Sequence, residues 1–178
     1  MVARLSKIDW LEHGLKTLAA VGAGGLKAEA MAKTLRVSRG SFYWHFKDIG
    51  EFRAALLDLW QERATRRVIE DIDRIADRSG QLLELLNRAF YTSTKLESAV
   101  RAWATQDEDV AEKVASVDRI RVEFLVNMLA REGVSAASAR PRSVFLYLAY
   151  LGTISLGNET DLTLSPAELE AMAALVLN

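Results

Sequence analysis

The sequence predicts an all-α protein, and three observations lead to that prediction. Only two prolines occur among its 178 residues, so little in the chain interrupts a helix. Apolar residues recur at intervals of three and four over long stretches, which is the period of an amphipathic helix. Half of the residues are hydrophobic, enough for a sizeable core in one domain or in a small domain joined to a larger one.

Composition also excludes several kinds of site. The chain has no cysteine and only two histidines, His13 and His45, so we expect neither a metal site nor a bound cofactor. The amino terminus lacks the apolar core of a signal peptide. The longest apolar run, Val144 to Leu156, is shorter than the roughly 20 residues that cross a bilayer. A soluble, cytoplasmic protein without a membrane partner is therefore expected.

The charge of the chain is unevenly distributed. Up to Arg53 the sequence has nine basic and five acidic residues, a net charge of +4. The remainder has fourteen basic and nineteen acidic residues, a net charge of −5. A basic N-terminal part on an acidic remainder is the distribution expected if only the N-terminal part meets a polyanion.

Two helices are predicted before residue 36. The first begins near Ser6, with Asp9 close to its positive end, and carries an apolar stripe of Ile8, Leu11, Leu15 and Leu18. Three glycines within residues 22–25 then end it. The second helix covers about residues 27–35.

A short third helix is predicted from Ser38, whose hydroxyl can accept a bond from the N–H of residue 40 or 41. Phe42 and Phe46 lie four apart on one face, which suits burial. The rest of the surface carries Arg39, Ser41, Tyr43, Trp44, His45 and Lys47. Two helices, a tight turn and a third helix form a helix-turn-helix, whose last helix reads DNA: arginine can bond a guanine edge, and hydroxyls can hold phosphates. Alternatively, this is an ordinary short helix with two core phenylalanines.

Residues 42–47, Phe-Tyr-Trp-His-Phe-Lys, decide between these interpretations. Together with the helix end at residues 19–25, Met31-Ala32 and Val37-Ser38, they make the segment from Ser6 to Phe52 resemble the DNA-binding domain of the TetR family of bacterial transcriptional regulators. The resemblance covers under a third of the chain. It implies a DNA-binding domain over residues 1–50, a helical effector-binding and dimerisation domain over residues 51–178, and about nine helices in total.

The resemblance implies a role for each residue near the DNA. Ser38, Arg39, Gly40 and Ser41 would open the reading helix, and the last three would face base edges. Trp44 would lie against the DNA backbone or a thymine methyl.

Five further residues would lie at the phosphates. Lys27 and Ala28 would start the second helix beside the DNA backbone, and Tyr43, His45 and Lys47 would hold phosphates, Lys47 with the help of N–H groups at the start of the fourth helix. For His45 an alternative remains, in which the imidazole caps a helix end within the protein.

The sequence departs from the family pattern at three positions. Arg36 stands where the family usually has a glycine in the left-handed conformation, at a cost of about 1 kcal/mol if the backbone is unchanged. Ile49 replaces a common lysine, so one phosphate contact is in doubt. Ala28 replaces a threonine or valine. These departures bear on affinity and sequence preference.

Six helices are predicted after the reading helix. Their approximate ranges are 48–76, 81–96, 97–105, 107–131, 141–156 and 166–176. The first of them runs from the DNA-binding part into the remainder and is a natural link between them. Gly133 is expected to adopt the left-handed conformation that ends the helix at 107–131. Ser165 is expected to cap the last helix, with Pro166 at its first position.

The last two predicted helices are apolar enough to need a partner. The sequence predicts a homodimer through Leu146, Leu151, Leu156, Leu169, Met172, Ala173 and Val176. The family resemblance implies the same pairing, and two reading helices about 34 Å apart would bind a palindromic operator. The alternative is that these residues are ordinary monomer core.

Aromatic and adaptable residues gather in the middle helices, as they do in apolar ligand sites. The candidate pocket consists of Trp60, Phe90, Tyr91, Trp103, Gln106, Phe124, Asn127, Met128, Tyr147 and Tyr150. TetR-like proteins bind a small molecule here, and these side chains favour an apolar or aromatic one. The alternative is plain core.

Three functional hypotheses follow. The first is a homodimeric transcriptional repressor released by a small effector, and the second is a DNA-binding nucleoid or protein-partnered factor without an effector. The third is an enzyme. It is disfavoured because the sequence offers no metal cluster and no nucleophile–histidine–acid set, since His13 lies in the first helix and His45 in the reading helix.

Overall fold

The computed structural model describes residues 5–156 and 162–178, and this part of the chain is all-α. Its helices are α1 (Lys7–Val21), α2 (Ala28–Leu35), α3 (Arg39–Tyr43), α4 (Ile49–Gln61), α5 (Arg67–Asp73), α6 (Arg78–Tyr91), α7 (Lys95–Ala104), α8 (Glu108–Arg131), α9 (Ala136–Leu156) and α10 (Pro166–Leu177). A π-helical segment, Glu62–Arg66, joins α4 to α5. If these two count as one, the described residues contain nine helices, as predicted. None of the described helices has both the length and the apolar character that crossing a bilayer requires.

Helix α1 begins and ends where the sequence predicts. The Ser6 hydroxyl accepts a hydrogen bond from the Asp9 N–H at 3.3 Å, and the Asp9 carboxylate accepts one from the Ser6 N–H at 2.7 Å. This reciprocal capping box satisfies two N–H groups that the helix leaves unpaired. At the other end Gly22 has a φ of 76°, and its N–H donates to the Leu18 carbonyl at 2.9 Å.

Helix α2 ends at a left-handed arginine. Arg36 has φ 56° and ψ 40°, and it is the only non-glycine residue with a positive φ in the described part of the chain. Its N–H donates to Lys33 O at 3.2 Å, and the Val37 N–H donates to Ala32 O at 3.0 Å. The turn therefore keeps the geometry that suits glycine, and the arginine bears the steric cost of its Cβ.

Replacing Arg36 with glycine should raise the free energy of unfolding by about 1 kcal/mol, because the left-handed backbone then carries no Cβ. Urea denaturation of both proteins measures the difference. Arg36→Ala removes the same charge but keeps the Cβ, so it should not stabilise the protein. Equal stabilisation by alanine and glycine would assign the effect to charge instead of the backbone.

Helix α3 is shorter than predicted, and its cap differs. It covers five residues, Arg39–Tyr43, and the Ser38 hydroxyl accepts no capping bond, although Ser38 is the N-cap residue. The Ser41 N–H, a candidate donor to that hydroxyl, is instead 3.0 Å from the Ser38 carbonyl. The Phe46 N–H still bonds Phe42 O at 3.1 Å, but the Lys47 N–H donates to the Glu51 carboxylate. The helical pattern therefore stops there.

An aromatic cluster holds α3 in place. Trp10, Phe42, Phe46 and Phe52 are at most 1% exposed, and their neighbouring ring centroids lie 5.0–5.4 Å apart. Gly14 allows this packing, because a Cβ there would come within 2.5 Å of the Phe52 ring. The prediction that Phe42 and Phe46 are buried together is confirmed.

The chain divides into two compact units. The N-terminal unit contains the chain up to Arg63 together with Lys95–Val114, and the C-terminal unit contains Ala64–Thr94 and Ala115–Asn178. Within the N-terminal unit α7 packs against α1. The functional division at residue 50 stays a prediction.

A buried carboxylate lies at the α4–α7 contact of the N-terminal unit. Glu97 is 6% exposed, accepts a hydrogen bond from the Trp60 indole N–H at 3.2 Å, and pairs with Arg101 at 3.0 Å. A buried charge is tolerated because it is paired and hydrogen-bonded.

The C-terminal unit has its own hydrophobic core, to which α5, α6, α8, α9 and α10 contribute. Helix α9 begins at Ala136 instead of the predicted Pro141, because the Ser135 carbonyl accepts bonds from the N–H groups of Ser138 and Ala139 at 2.9 and 2.8 Å. Pro141 cannot donate to the carbonyl four residues earlier, but that residue, Ala137, is exposed, so water can solvate the carbonyl.

Candidate nucleic-acid interface

Every residue that the sequence predicts to contact DNA reaches the surface of the N-terminal unit. The exposed residues are Lys27, Ser38, Arg39, Gly40, Tyr43, Trp44 and Lys47, and the partly exposed residues are Ala28, Ser41 and His45. The phenylalanines between them in the sequence, Phe42 and Phe46, are buried. The fold therefore separates a surface of polar and aromatic groups from the side chains that anchor it.

Two large aromatic side chains on this surface are exposed. Trp44 is 70% exposed and Tyr43 is 47% exposed. Burying an aromatic side chain of this size is favourable by about 1.5–3 kcal/mol, so the fold leaves this stabilisation unused. Neighbouring exposed aromatic groups with polar tips are typical of a surface that meets a partner.

Arg39 lies on the face of Tyr43. Its guanidinium carbon is 5.4 Å from the centre of the tyrosine ring. Stacking uses the planar face of the guanidinium and leaves its N–H edge for hydrogen bonds. Such an edge can donate two bonds to a guanine.

Gly40 is a glycine that the fold does not require. A Cβ added there would meet only the Ser38 hydroxyl, at an ordinary 3.7 Å. Alanine would stabilise a helix interior by about 1 kcal/mol relative to glycine. The absence of a side chain on this exposed face suits close approach by another molecule's backbone.

Gly40→Ala should therefore have two opposite effects. We expect the free energy of unfolding to rise by about 0.5–1 kcal/mol, since alanine is the better helix former. We expect duplex affinity to fall, because the new methyl group occupies the approach. Denaturation and fluorescence anisotropy with labelled duplex measure the two quantities.

Gly24→Ala, at another exposed glycine with open space around its Cα, is the control and should not weaken DNA binding. Unchanged affinity in Gly40→Ala would remove Gly40 from the interface.

His45 makes a contact within the protein. Its Nε2 lies 2.8 Å from the Leu5 carbonyl, so this nitrogen is the donor and the imidazole anchors the chain just before α1. This bond fits the alternative in which His45 stays within the protein. Its contact with phosphate stays a prediction.

The start of α4 is occupied by the chain's own carboxylates. The Asp48 carboxylate accepts from the Glu51 N–H at 2.9 Å, and the Glu51 carboxylate accepts from the Lys47 N–H at 2.8 Å and from Lys7 Nζ at 3.3 Å. The bond from the Lys47 N–H, followed by the one from Lys7, lowers the pKa of Glu51. The N–H groups of Lys47 and Glu51 are therefore already paired within the protein, and the contact of the Lys47 side chain with phosphate stays a prediction.

Most residues predicted for a dimer interface face the core of the C-terminal unit instead. Leu146, Leu169, Ala173 and Val176 are buried, Leu151 and Met172 are partly buried, and Leu156 is exposed. The exposed large apolar residues of α9 and α10 are Phe145, Leu148, Leu156 and Leu175. Of these four, the sequence predicted only Leu156, because α9 is apolar nearly all round.

The exposed apolar residues of α9 form a stripe. Phe145 and Leu148, each 59% exposed, are followed at helical spacing by Gly152 and Leu156. We call these four residues the outer stripe. A Cβ on Gly152 would meet nothing within 4 Å, so the chain's own packing does not require this glycine.

The predicted pocket residues are divided between the units. Trp60, Trp103 and Gln106 belong to the N-terminal unit, and Phe90, Tyr91, Phe124, Asn127, Met128, Tyr147 and Tyr150 belong to the C-terminal unit. Trp60, Trp103, Met128 and Tyr147 are buried, Phe90, Phe124 and Tyr150 are partly buried, and Tyr91, Gln106 and Asn127 are exposed.

In the C-terminal unit, polar groups that were not predicted from the sequence lie beside these aromatic residues. The Tyr147 hydroxyl donates to the Asp118 carboxylate at 2.6 Å, and burial raises the pKa of this hydroxyl. Arg121 lies over the Tyr150 ring at 5.9 Å and donates to the buried Thr65 hydroxyl at 3.0 Å. Asp118 and Arg121 share one face of α8, a spacing that could have signalled them.

No protein-family model matches the sequence, and no curated protein matches it either. Solved structures, in contrast, match over nearly the whole chain. Escherichia coli NemR in its reduced form is 20% identical, with a TM-score of 0.77 over 96% of this chain and 95% of that chain. A TetR transcriptional regulator from Legionella pneumophila is 13% identical, with a TM-score of 0.72 over 99% and 97%. The transcriptional regulator FadR from Bacillus subtilis, in complex with stearoyl-CoA, is 15% identical, with a TM-score of 0.68 over 97% and 98%. At these identities the likeness establishes the fold, which is that of TetR-type transcriptional regulators.

Proposed function

We propose that this chain, which has the fold of TetR-type transcriptional regulators, is itself a regulator of that family. In this proposal it is a homodimeric repressor that binds a palindromic operator through α3. A small apolar or aromatic molecule releases it from DNA. The exposed surface of α3 is the observation that carries the proposal.

The α3 surface supports DNA binding because its groups match those of a DNA groove. Arg39 offers a donor edge for a guanine, Ser41 and Tyr43 offer hydroxyls, and Gly40 leaves room for close approach. Of these side chains only Tyr43 touches the aromatic cluster that holds α3 in place, through an edge-on contact with Phe42 at 5.3 Å between ring centroids. Catalysis has no part in the proposal.

The outer stripe supports a dimer. Covering a Phe145 or Leu148 side chain would contribute about 1.5–3 kcal/mol, and Leu175 on α10 adds further exposed apolar surface. A second copy presents the same residues, so a twofold axis can pair stripe with stripe. Gly152 leaves space for two helices to approach closely. In such a dimer, the α3 helix of each copy would bind one half-site of a palindrome.

Two observations support a small-molecule effector. The similar FadR structure contains stearoyl-CoA, so the fold accommodates an organic ligand in at least one protein. In this chain Phe124, Tyr147 and Tyr150 gather in the C-terminal unit beside polar groups of α8. An effector that releases DNA must bind the DNA-free conformation more tightly, since equal affinity for both states shifts nothing.

Selection of bound duplexes from a random library by the purified chain tests the proposal. We expect enrichment of an inverted repeat whose half-site centres lie about 10 base pairs, or a multiple of one helical turn, apart. Enrichment of a single half-site would contradict the dimer, and no enrichment would contradict operator binding. The selected duplex then serves to screen apolar and aromatic compounds for release. A screen without any releasing compound would favour the nucleoid or protein-partnered alternative.

A further inference from the structure

A cleft of about 440 Å³ opens in the N-terminal unit between α4, α7 and the start of α8. This volume lies within the range of small-molecule sites. Leu57, Trp103 and Val110 give the cleft an apolar wall, and each is at most 7% exposed. Charged side chains of α4 and α8 complete the lining.

Arg53 is the charged group in this cleft that most needs a partner. Its guanidinium carbon lies 5.7 Å from the centre of the Trp103 ring, and its Nε is buried without a hydrogen-bond acceptor. Among the described residues it forms no ion pair. Stacking on an indole orients a guanidinium and leaves its donor edge for a planar, bidentate acceptor such as a carboxylate.

Two neighbouring carboxylates have partners within the protein. Asp58 pairs with Lys113 at 2.7 Å. The Asp107 carboxylate accepts bonds from the Trp103 indole N–H at 3.2 Å and from the Val110 N–H at 3.4 Å.

Asp109 is exposed and forms no side-chain hydrogen bond or ion pair with any residue in the described ranges. Apart from the Lys113–Asp58 pair, the cleft therefore offers one cation, Arg53, and two carboxylates without an ion pair in the described part of the chain, Asp107 and Asp109. A ligand with a single negative charge suits Arg53, because a second negative charge would be repelled by these two carboxylates.

We propose that this cleft binds a small organic monocarboxylate with an apolar or aromatic body. The carboxylate accepts two hydrogen bonds from Arg53, and the body lies against Leu57 and Val110. The inference goes beyond the proposed function, since it concerns a site in the N-terminal unit and holds whether or not the chain regulates transcription.

Isothermal titration of the full chain with benzoate and hexanoate tests the proposal, with succinate and inorganic phosphate as more highly charged probes. We expect saturable binding of the monocarboxylates and about tenfold weaker binding of succinate and phosphate. Arg53→Gln should weaken benzoate binding about tenfold or more, as expected for loss of a charged hydrogen bond. Arg63→Gln is the matched control, because Arg63 is on the same unit but pairs with Glu12 at 2.6 Å and does not line the cleft.

Thermal unfolding of each variant shows whether it is folded, so a loss of binding can be separated from a loss of structure. Two further variants test the roles of individual side chains. Arg53→Lys keeps the charge but loses the two-donor edge, so its affinity should lie between those of wild type and Arg53→Gln. Asp109→Asn should narrow the difference between benzoate and succinate affinity, because it removes one of the two repelling carboxylates. Absence of saturable binding by wild type, or benzoate binding by Arg53→Gln as tight as by wild type, would overturn the site. Unchanged selectivity in Asp109→Asn would overturn the role of Asp109.

Discussion

Phe145→Glu should convert the protein into a folded monomer and lower its operator affinity by about a hundredfold or more. Phe145 is 59% exposed, so the substitution costs the chain's own core little. In a dimer, however, the twofold axis brings the outer stripes of both copies together and would bury both new carboxylates in an apolar contact. The affinity falls because a monomer loses the second half-site, and linked binding of two sites typically contributes 10²–10⁴ in affinity.

Analytical ultracentrifugation and duplex titration together measure this effect. Ala130→Glu is the control, since it adds the same charge at an exposed position of the same unit on a different helix, α8. It should remain dimeric and keep its affinity. A Phe145→Glu protein that stays dimeric would place the interface elsewhere.

Arg39→Ala should lower affinity for the selected operator by about 1–3 kcal/mol, or roughly tenfold to a hundredfold. Loss of the guanidinium edge removes a contact that only the correct base can satisfy. Affinity for unrelated duplex should change much less, because phosphate contacts dominate non-specific binding. Titrations with operator and with a scrambled duplex at the same salt concentration measure the two losses.

Lys47→Ala provides the contrast for Arg39→Ala. Lys47 is exposed and is expected to hold a phosphate, so its loss should weaken operator and scrambled duplex about equally. The slope of log affinity against log salt should also decrease by about one. Equal losses on both duplexes for Arg39→Ala would show that Arg39 contacts phosphate and reads no base.

The elements with local signals could be predicted from the sequence. Ser6 and Asp9 cap α1, and Ser165 and Glu168 form the same capping box at α10, where Pro166 takes the first position. Gly133, with a φ of 89°, ends α8 as predicted. Each signal works because the residues that set the geometry are at most three positions apart.

Features that depend on distant residues could not be predicted. Trp60 and Glu97 are 37 positions apart in the sequence, and nothing near Glu97 marks it as a buried carboxylate that joins α7 to the N-terminal unit. Arg53 and Trp103, whose side chains stack, are fifty positions apart, and no nearby residue predicts this contact either. On α9 the neighbours Phe145 and Leu146 are both apolar, yet one is exposed and the other 2% exposed. Only the packing of the other helices decides which faces inward.

The brevity of α3 has a consequence for how this protein can change. Five residues are far fewer than the roughly 12–15 at which an isolated helix becomes marginally stable in water, so an excised peptide with this sequence would be disordered. The aromatic cluster supplies the missing stability through Phe42 and Phe46, while Arg39 and Trp44 point to solvent. Outward residues can therefore be exchanged during evolution, or by an engineer, with little penalty to folding. Under the proposed function, point substitutions at these positions would be enough to change the DNA sequence that the protein prefers.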